Sequence, residues 1–182
     1  MKRYILTGAP GSGKTSVLQA LRGRGYPVVA EAATDVIAAG QSQGHDEPWN
    51  DPLFADQIIE LQRARQQAPA VAAAASQVFD RSPVCTLALA RYLGRPVTAT
   101  LSAELDRIIR GGIYQRRVFL IRPIGFCRPT PARRISYEDS LEFERYHVAA
   151  YERLGFALVQ IAAGPVEDRV AAIDARLREW VA

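Results

Sequence analysis

A glycine-rich segment near the start of the chain, residues 8–15, constrains the fold more than any other feature of the sequence. It reads G-A-P-G-S-G-K-T and matches the pattern G-x-x-x-x-G-K-[ST] in full. A short apolar run at residues 4–6 precedes it, and apolar residues at helical spacing, Val17, Leu18 and Leu21, follow it. This pattern binds phosphate when it lies between a strand and a helix. The chain is therefore expected to begin with a strand, a phosphate-binding loop and a helix.

The residue types of this segment each suit the binding of a nucleoside triphosphate. Glycines let the backbone wrap closely around phosphate, so that successive N–H groups and a helix N-terminus face the anion. Lys14 is expected to contact the β- and γ-phosphates, and the Thr15 hydroxyl to ligate Mg²⁺. The predicted nucleotide-binding residues are Gly8, Ala9, Pro10, Gly11, Ser12, Gly13, Lys14, Thr15 and Ser16, with ATP as the expected ligand and GTP as the alternative.

Apolar runs and helical patterns alternate along the rest of the chain. Strands are predicted at residues 4–6, 26–30, 76–80, 118–121 and 156–161, and helices at 14–24, 32–39, 51–67, 83–93, 98–110, from 136 onwards and 166–177. Runs that are apolar throughout are typical of parallel strands covered on both faces. Pro27 has no backbone N–H to donate to a neighbouring strand, which predicts that its strand lies near the edge of the sheet. We therefore predict one α/β domain over residues 1–182, with helices on both faces of a parallel sheet.

Composition excludes several other classes of protein. With 182 residues, 48% of them hydrophobic, the chain has an ordinary globular composition. It contains no run of about 20 apolar residues, as a membrane span requires, and its first residues do not match a secretion signal. Its two cysteines, Cys85 and Cys127, are too few for a disulfide framework. A reduced, cytoplasmic protein is expected.

Positive charge is concentrated in one stretch of the sequence. Residues 107–137 contain eight arginines and no Asp or Glu, within a chain of net charge +4. Such a stretch suits phosphate or another polyanion, although a solvated surface with incidental arginines is the plainer interpretation. Few aromatic residues accompany the arginines, so the pattern does not favour nucleic-acid binding.

The third predicted strand ends in Asp80-Arg81-Ser82, which distinguishes between classes of phosphate-loop protein. No glutamate follows the aspartate as in motor-type ATPases, and no N-K-x-D sequence for guanine occurs. The segment resembles the [DE]-R-[SYF] motif of nucleoside and nucleotide kinases. In those proteins the acid helps to hold Mg²⁺ and the arginine orients the phosphoryl acceptor. A structural ion pair at the strand end is the alternative for Asp80 and Arg81.

Two further groups extend the resemblance to nucleoside kinases. Glu31 follows the second predicted strand, where these kinases carry a glutamate that takes the proton of the acceptor hydroxyl; a nearby phosphate would raise its basicity. Capping of the next helix is the alternative. Arg122 ends the fourth predicted strand and opens a short lid at about residues 122–137. Its later arginines, Arg128, Arg133 and Arg134, are expected to neutralise charge on the transferring phosphoryl group.

Several other residues stand out on weaker grounds. Trp49, in a predicted polar loop at residues 40–50, could stack on the acceptor or anchor the loop against the core. Asp51 followed by Pro52 predicts a helix start. His147 and Cys85 are expected to be structural, and Trp180 to close the last helix against the sheet.

The whole chain resembles the P-loop kinase-like AAA domain family, which includes the ribosylnicotinamide kinase domain of the bifunctional NAD-biosynthesis regulator. The motifs that carry the resemblance lie at residues 8–15, 26–32, 48–52, 78–81 and 151–156. The resemblance implies a three-layer P-loop NTPase fold with strand order 2-3-1-4-5, and ATP or GTP binding with Mg²⁺.

Two functions remain open from the sequence. The first is an ATP-dependent phosphotransferase acting on a small hydroxyl- or phosphate-bearing acceptor, with Glu31, Arg81 and Trp49 binding the acceptor and Thr15 and Asp80 the metal. The second is a nucleotide-gated module whose basic stretch docks a protein partner or an anionic lipid.

Overall fold

The computed structural model describes residues 1–69, 74–127 and 134–181. The strands are β1 (Lys2–Thr7), β2 (Val28–Val29), β3 (Ser76–Asp80), β4 (Arg117–Ile121) and β5 (Ala157–Ile161). The helices are α1 (Lys14–Gly23), α2 (Ala33–Ser42), α3 (Phe54–Gln67), α4 (Pro83–Tyr92), α5 (Ala99–Arg110), α6 (Tyr137–Arg153) and α7 (Val166–Val181). A single 3₁₀ turn, Pro48–Asn50, precedes α3.

The described strands form one parallel sheet of five strands in the order β2-β3-β1-β4-β5, as predicted. β1 lies at the centre, with Tyr4 opposite Val78 of β3 and Leu6 opposite Phe119 of β4. β2 is an edge strand, as Pro27 indicated; the Pro27 carbonyl still accepts a hydrogen bond from the Val78 N–H at 2.9 Å. The carboxyl ends of β1, β3 and β4 therefore meet along one edge of the sheet.

Helices cover both faces because successive residues of each strand point to opposite sides. Ile5, Phe79 and Val118 are buried against α4, α5 and α6, and Tyr4 and Leu6 are buried against α1 and α7. The Trp180 ring stacks on Phe119 at 5.2 Å, which confirms that this side chain closes the last helix against the sheet. No helix in the described parts of the chain is both long and apolar enough to cross a membrane.

Several predicted boundaries differ from the structure; β1, for example, spans Lys2–Thr7 and not only residues 4–6. β2 contains only Val28 and Val29, and α2 continues to Ser42, inside the segment predicted as a polar loop. Helix α3 begins at Phe54 and not at Asp51. The Asp51 carboxylate accepts the Leu53 N–H at 2.8 Å, so it stabilises the turn before the helix.

The arginines of the basic stretch do not lie on one face. Arg117 begins β4 and Arg122 follows its last residue, so five residues at about 3.3 Å each place the two roughly 16 Å apart. Arg107, on α5, forms an ion pair with Glu104 at 2.7 Å. Arg128 and Arg133, which the lid prediction includes, lie outside the described residues.

Candidate functional site

The glycine-rich loop leaves β1 at the carboxyl edge of the sheet and leads directly into α1. Gly8 has a φ of 136°, and a Cβ at this position would lie 2.4 Å from the Ile121 carbonyl oxygen. Gly13, the residue before α1, has a φ of 84°. Only glycine adopts these conformations without strain, which explains how the chain turns so tightly from β1, next to β4, into α1.

Lys14 lies folded across the inside of this loop and is almost fully buried. Its ammonium donates to the Gly8 carbonyl at 3.1 Å, to the Ala9 carbonyl at 2.8 Å and to the Ser12 hydroxyl at 3.4 Å. Burial, reinforced by the charge of Arg81, lowers the pKa of Lys14 to about 8. The loop thus encloses its lysine, whose charge is poorly solvated.

Asp80 is buried beside Lys14 at the end of β3, where the sequence placed it. Burial raises the pKa of Asp80 to about 6, although Lys14 acts in the opposite direction. Its Oδ1 atom is buried and has no hydrogen-bond partner among the described residues. The Thr15 and Ser16 side chains are exposed and line the cavity next to Lys14.

Glu31 reaches the same site from the segment after β2. Its Oε1 atom lies 2.5 Å from Arg81 Nε in an ion pair, and its Oε2 atom accepts the Thr34 hydroxyl at 2.9 Å. The helix-cap alternative for Glu31 is wrong, because Ala32 is the N-cap of α2 and no side chain caps it. Burial alone would raise the pKa of Glu31, but Arg81 and Lys14 outweigh burial and lower it. This direction is opposite to the one expected beside a phosphate.

Arg81 occupies an unusual backbone conformation, with a φ of 71°. Few residues with a side chain adopt left-handed geometry, and such strain concentrates at functional sites. The Arg81 N–H donates to the Leu6 carbonyl at 3.0 Å, which fixes the turn against the central strand. The guanidinium is thereby directed toward Glu31 and into the cavity.

The loop and the Glu31–Arg81 pair open into one cavity of about 660 Å³. Away from the phosphate loop, its wall is apolar and partly aromatic, with side chains from four helices and the 3₁₀ turn: Ile37, Trp49, Phe54, Ile58, Leu89, Tyr92 and Phe143. Gln62 of α3 lines the same wall, and its Oε1 atom is buried without a hydrogen-bond partner among the described residues. The cavity therefore joins the glycine-rich loop to an apolar pocket that contains an unpaired amide oxygen.

Trp49 and Arg134 form part of the cavity rim. The Arg134 guanidinium lies 5.4 Å from the centre of the Trp49 ring, and its Nη1 atom lies 3.4 Å from Glu47 Oε1. Arg95 donates to the Trp49 carbonyl. Trp49 is thus anchored, as one of its two interpretations predicted, and it also lines the cavity, while stacking on an acceptor stays a prediction. The Arg122 guanidinium forms an ion pair with Glu144, in which Nη1 lies 2.5 Å from Oε1.

Comparison with known proteins agrees with this architecture. A family model described as an AAA domain matches residues 3–169. The chain belongs to this family. No curated protein sequence matches the chain.

Solved structures of other proteins resemble this AAA domain in fold. A structure of deoxyadenosine kinase from M. mycoides with dCMP and dCDP bound has a TM-score of 0.65 at 12% identity and covers 97% of this chain and 98% of that chain. The same enzyme with dCTP bound has a TM-score of 0.60 at 13% identity, covering 98% and 100%. The NadR protein in complex with NAD and AMP-PNP has a TM-score of 0.61 at 18% identity, covering 97% of this chain but 49% of that chain.

The structure of the AAA domain also reveals residues that sequence reasoning missed. Arg169, buried on α7, donates to the Ser12 carbonyl at 2.8 Å and to the Arg122 carbonyl at 3.1 Å. On the other side of the loop, Glu144 of α6 accepts the Ala9 N–H at 3.1 Å. One signal for Arg169 was available: it lies three residues after Val166 and four before Ile173, a charged residue on an apolar helix face.

Proposed function

We propose that this protein is a Mg²⁺-dependent phosphotransferase that moves the γ-phosphoryl group of ATP to a hydroxyl of a small, nucleoside-like acceptor. The observation that carries this proposal is the shared cavity, in which the phosphate loop lies next to the Glu31–Arg81 pair and the apolar pocket. The fold similarity to a deoxyadenosine kinase and to NadR, a protein solved with NAD and AMP-PNP, supports the same class of reaction.

The phosphate loop binds the donor in this proposal. Backbone N–H groups of the loop and of the N-terminus of α1 face the phosphates, apart from those of Ala9 and Ser12, which already donate to Glu144 and to the Ala9 carbonyl. Lys14 exchanges its hydrogen bonds with the Gly8 and Ala9 carbonyls for the β- and γ-phosphate oxygens. A negative charge at this position also relieves the cost of holding a poorly solvated ammonium.

Asp80 and Thr15 fit a magnesium ion. The buried Asp80 Oδ1 atom lacks a partner among the described residues, and a hard cation that prefers oxygen ligands would satisfy it. Thr15 lines the cavity next to Lys14, the residue beside which Asp80 is buried. When bound, the ion supplies positive charge that neutralises the phosphate oxygens.

The acceptor lies in the apolar half of the cavity. Glu31, kept ionised by Arg81, accepts a hydrogen bond from the reacting hydroxyl and takes its proton as the phosphoryl group is transferred. Arg81 contacts the acceptor next to that hydroxyl, and Trp49 stacks on its ring. The Gln62 amide pairs with an N–H group at the far end of the ring. Arg134, with Arg128 and Arg133, neutralises charge on the transferring group.

The decisive experiment measures Mg²⁺-dependent release of ADP from ATP, and of GDP from GTP, with nucleosides, ribosylnicotinamide, nucleoside monophosphates and sugars as acceptors. We expect release to rise sharply with one nucleoside-like acceptor. Glu31→Gln should abolish transfer and leave ATP affinity within about twofold, whereas Glu60→Gln, an exposed acid on α3, should leave both unchanged. Tight nucleotide binding with slow, acceptor-independent hydrolysis would contradict the proposal and favour a nucleotide-gated module.

A further inference from the structure

His147 on α6 has no exposed surface, although its ring forms part of the cavity lining. Both of its nitrogens have partners. Nδ1 lies 2.9 Å from the Phe143 carbonyl oxygen of the preceding helical turn, and Nε2 lies 2.8 Å from Arg81 Nη1. The imidazole therefore connects the backbone of α6 directly to Arg81, the arginine of the candidate acceptor site.

These partners fix the protonation state of the ring. A carbonyl oxygen only accepts, so Nδ1 must carry the hydrogen. A guanidinium only donates, so Nε2 must present its lone pair. Burial, followed by the charge of Arg81, holds the pKa of His147 well below its usual range. Lys14 acts in the same direction, and the Phe143 carbonyl and Glu144 act against it. His147 is thus a neutral acceptor.

The contact with His147 determines how Arg81 meets Glu31. Two nitrogens of the guanidinium are held at once, because Nε lies next to Glu31 and Nη1 lies next to His147. The Nη1 contact with His147 restricts rotation of the guanidinium, so that Nε stays against Oε1 of Glu31. The other carboxylate oxygen, Oε2, accepts the Thr34 hydroxyl, so both ends of the Glu31–Arg81 pair are held in place.

We propose that His147 is a positioning residue: as a neutral acceptor it holds Arg81 so that Glu31 and Arg81 are aligned for the acceptor. This inference rests on the proposed phosphotransferase function. His147 does not exchange a proton with the substrate and acts only through Arg81.

Two substitutions separate positioning from simple packing. His147→Leu fills much of the space but cannot accept a hydrogen bond, whereas His147→Gln retains an acceptor. We expect His147→Leu to lower kcat/KM for the acceptor by about tenfold or more, since a lost hydrogen bond to a charged group costs about 1.5–3 kcal/mol. The KM for ATP should stay within about twofold. His147→Gln should recover most of the loss. Equal values for the two variants, or wild-type values for His147→Leu, would overturn the proposal.

A spectroscopic measurement tests the geometry without any turnover. The chain has two histidines, so ¹⁵N-labelled protein freed of any polyhistidine tag shows two imidazole rings, and exposed His45 serves as the internal reference. We expect His147 to remain neutral with hydrogen on Nδ1 between pH 5 and 8. Hydrogen on Nε2, or protonation near pH 6, would overturn the positioning proposal. If the spectrum is as expected but the protein phosphorylates no acceptor, the proposed phosphotransferase function is contradicted and the geometry of His147 is not.

Discussion

At the scale of single residues, the buried carboxylate of Asp80 lowers the stability of the folded protein at neutral pH. Because its pKa is raised to about 6 in the folded protein, from an ordinary value of 3.8, the folded state binds the proton more tightly than the unfolded chain does. The associated stability is fully present below about pH 4 and is lost as the pH rises through 6. Above pH 6 the folded protein therefore carries a buried negative charge that Lys14 and Arg81 compensate only in part.

Asp80→Asn should remove that cost while destroying the proposed metal site. Near pH 7.5 we expect a gain in the free energy of unfolding of about 2–3 kcal/mol, and near pH 4 almost none. Mg²⁺-dependent turnover should be lost. Urea unfolding at the two pH values measures the gain, with Asp46→Asn, an exposed acid, as the control. A destabilised Asn variant at pH 7.5 would show that Lys14 outweighs burial at Asp80.

Arg169 provides a second prediction at this scale. Arg169→Leu would leave the Ser12 and Arg122 carbonyls without their donor, so the phosphate loop should lose its alignment. We expect ATP affinity, measured by titration calorimetry, to fall about tenfold. Arg176→Leu removes an exposed arginine of the same helix that pairs with Glu179, and it should leave ATP affinity unchanged. Equal effects of the two variants would contradict a specific role for Arg169.

These residues mark the limit of what the sequence could predict about the site. The phosphate loop was identifiable because its function depends on eight consecutive residues. Arg169 contacts a carbonyl 157 positions away, and His147 contacts an arginine 66 positions away. Neither contact leaves a local pattern. Glu31, Asp80 and Arg81 were predicted from strand ends, because the carboxyl ends of parallel strands share one edge of a sheet.

At the scale of secondary-structure elements, α6 is the helix that brings Glu144 to the loop and His147 to Arg81. Ser136 caps it by accepting the Asp139 N–H at 3.0 Å, at the position from which the sequence predicted a helix. Ser136→Ala should reduce the free energy of unfolding by about 1 kcal/mol, measured by urea denaturation. Ser42→Ala, which removes an exposed hydroxyl at the end of α2, should cost less. A larger effect from Ser42 would argue against capping as the cause.

Element boundaries were predictable where one signal dominated. β3 occupies the residues predicted for it, since an apolar run there ends in a charge. α3 was placed too early because Asp51 and Pro52 equally suit a turn, and only the Leu53 contact distinguishes the two.

At the scale of the whole molecule, Gly8 connects the site to the centre of the sheet. Gly8→Ala would force a Cβ to within 2.4 Å of the Ile121 carbonyl, between β1 and β4. We expect a loss of at least about 3 kcal/mol in the free energy of unfolding, together with loss of nucleotide binding. Gly23→Ala is the matched control: a Cβ there meets nothing within 4 Å, and a helical glycine replaced by alanine should gain about 0.5–1 kcal/mol. An unchanged melting temperature for Gly8→Ala would contradict this account of the β1–β4 contact.

The three-layer architecture followed from the sequence because apolar runs alternate with amphipathic helices. The distribution of charge in space did not follow from the sequence. Arg117 and Arg122, five residues apart in the sequence, lie at opposite ends of β4, and a count of charges along the chain does not reveal that separation.

Because its pKa is lowered, the Lys14 side chain can be labelled with amine-reactive reagents. The chain has two lysines, and the other, Lys2, begins β1 at the opposite end of the sheet. With a pKa of about 8, roughly half of the Lys14 side chains are uncharged amines at pH 8, the form that attacks acylating reagents. An amine-reactive probe that is small enough to enter the cavity would therefore report nucleotide occupancy, because phosphate bound to Lys14 keeps it protonated and shielded.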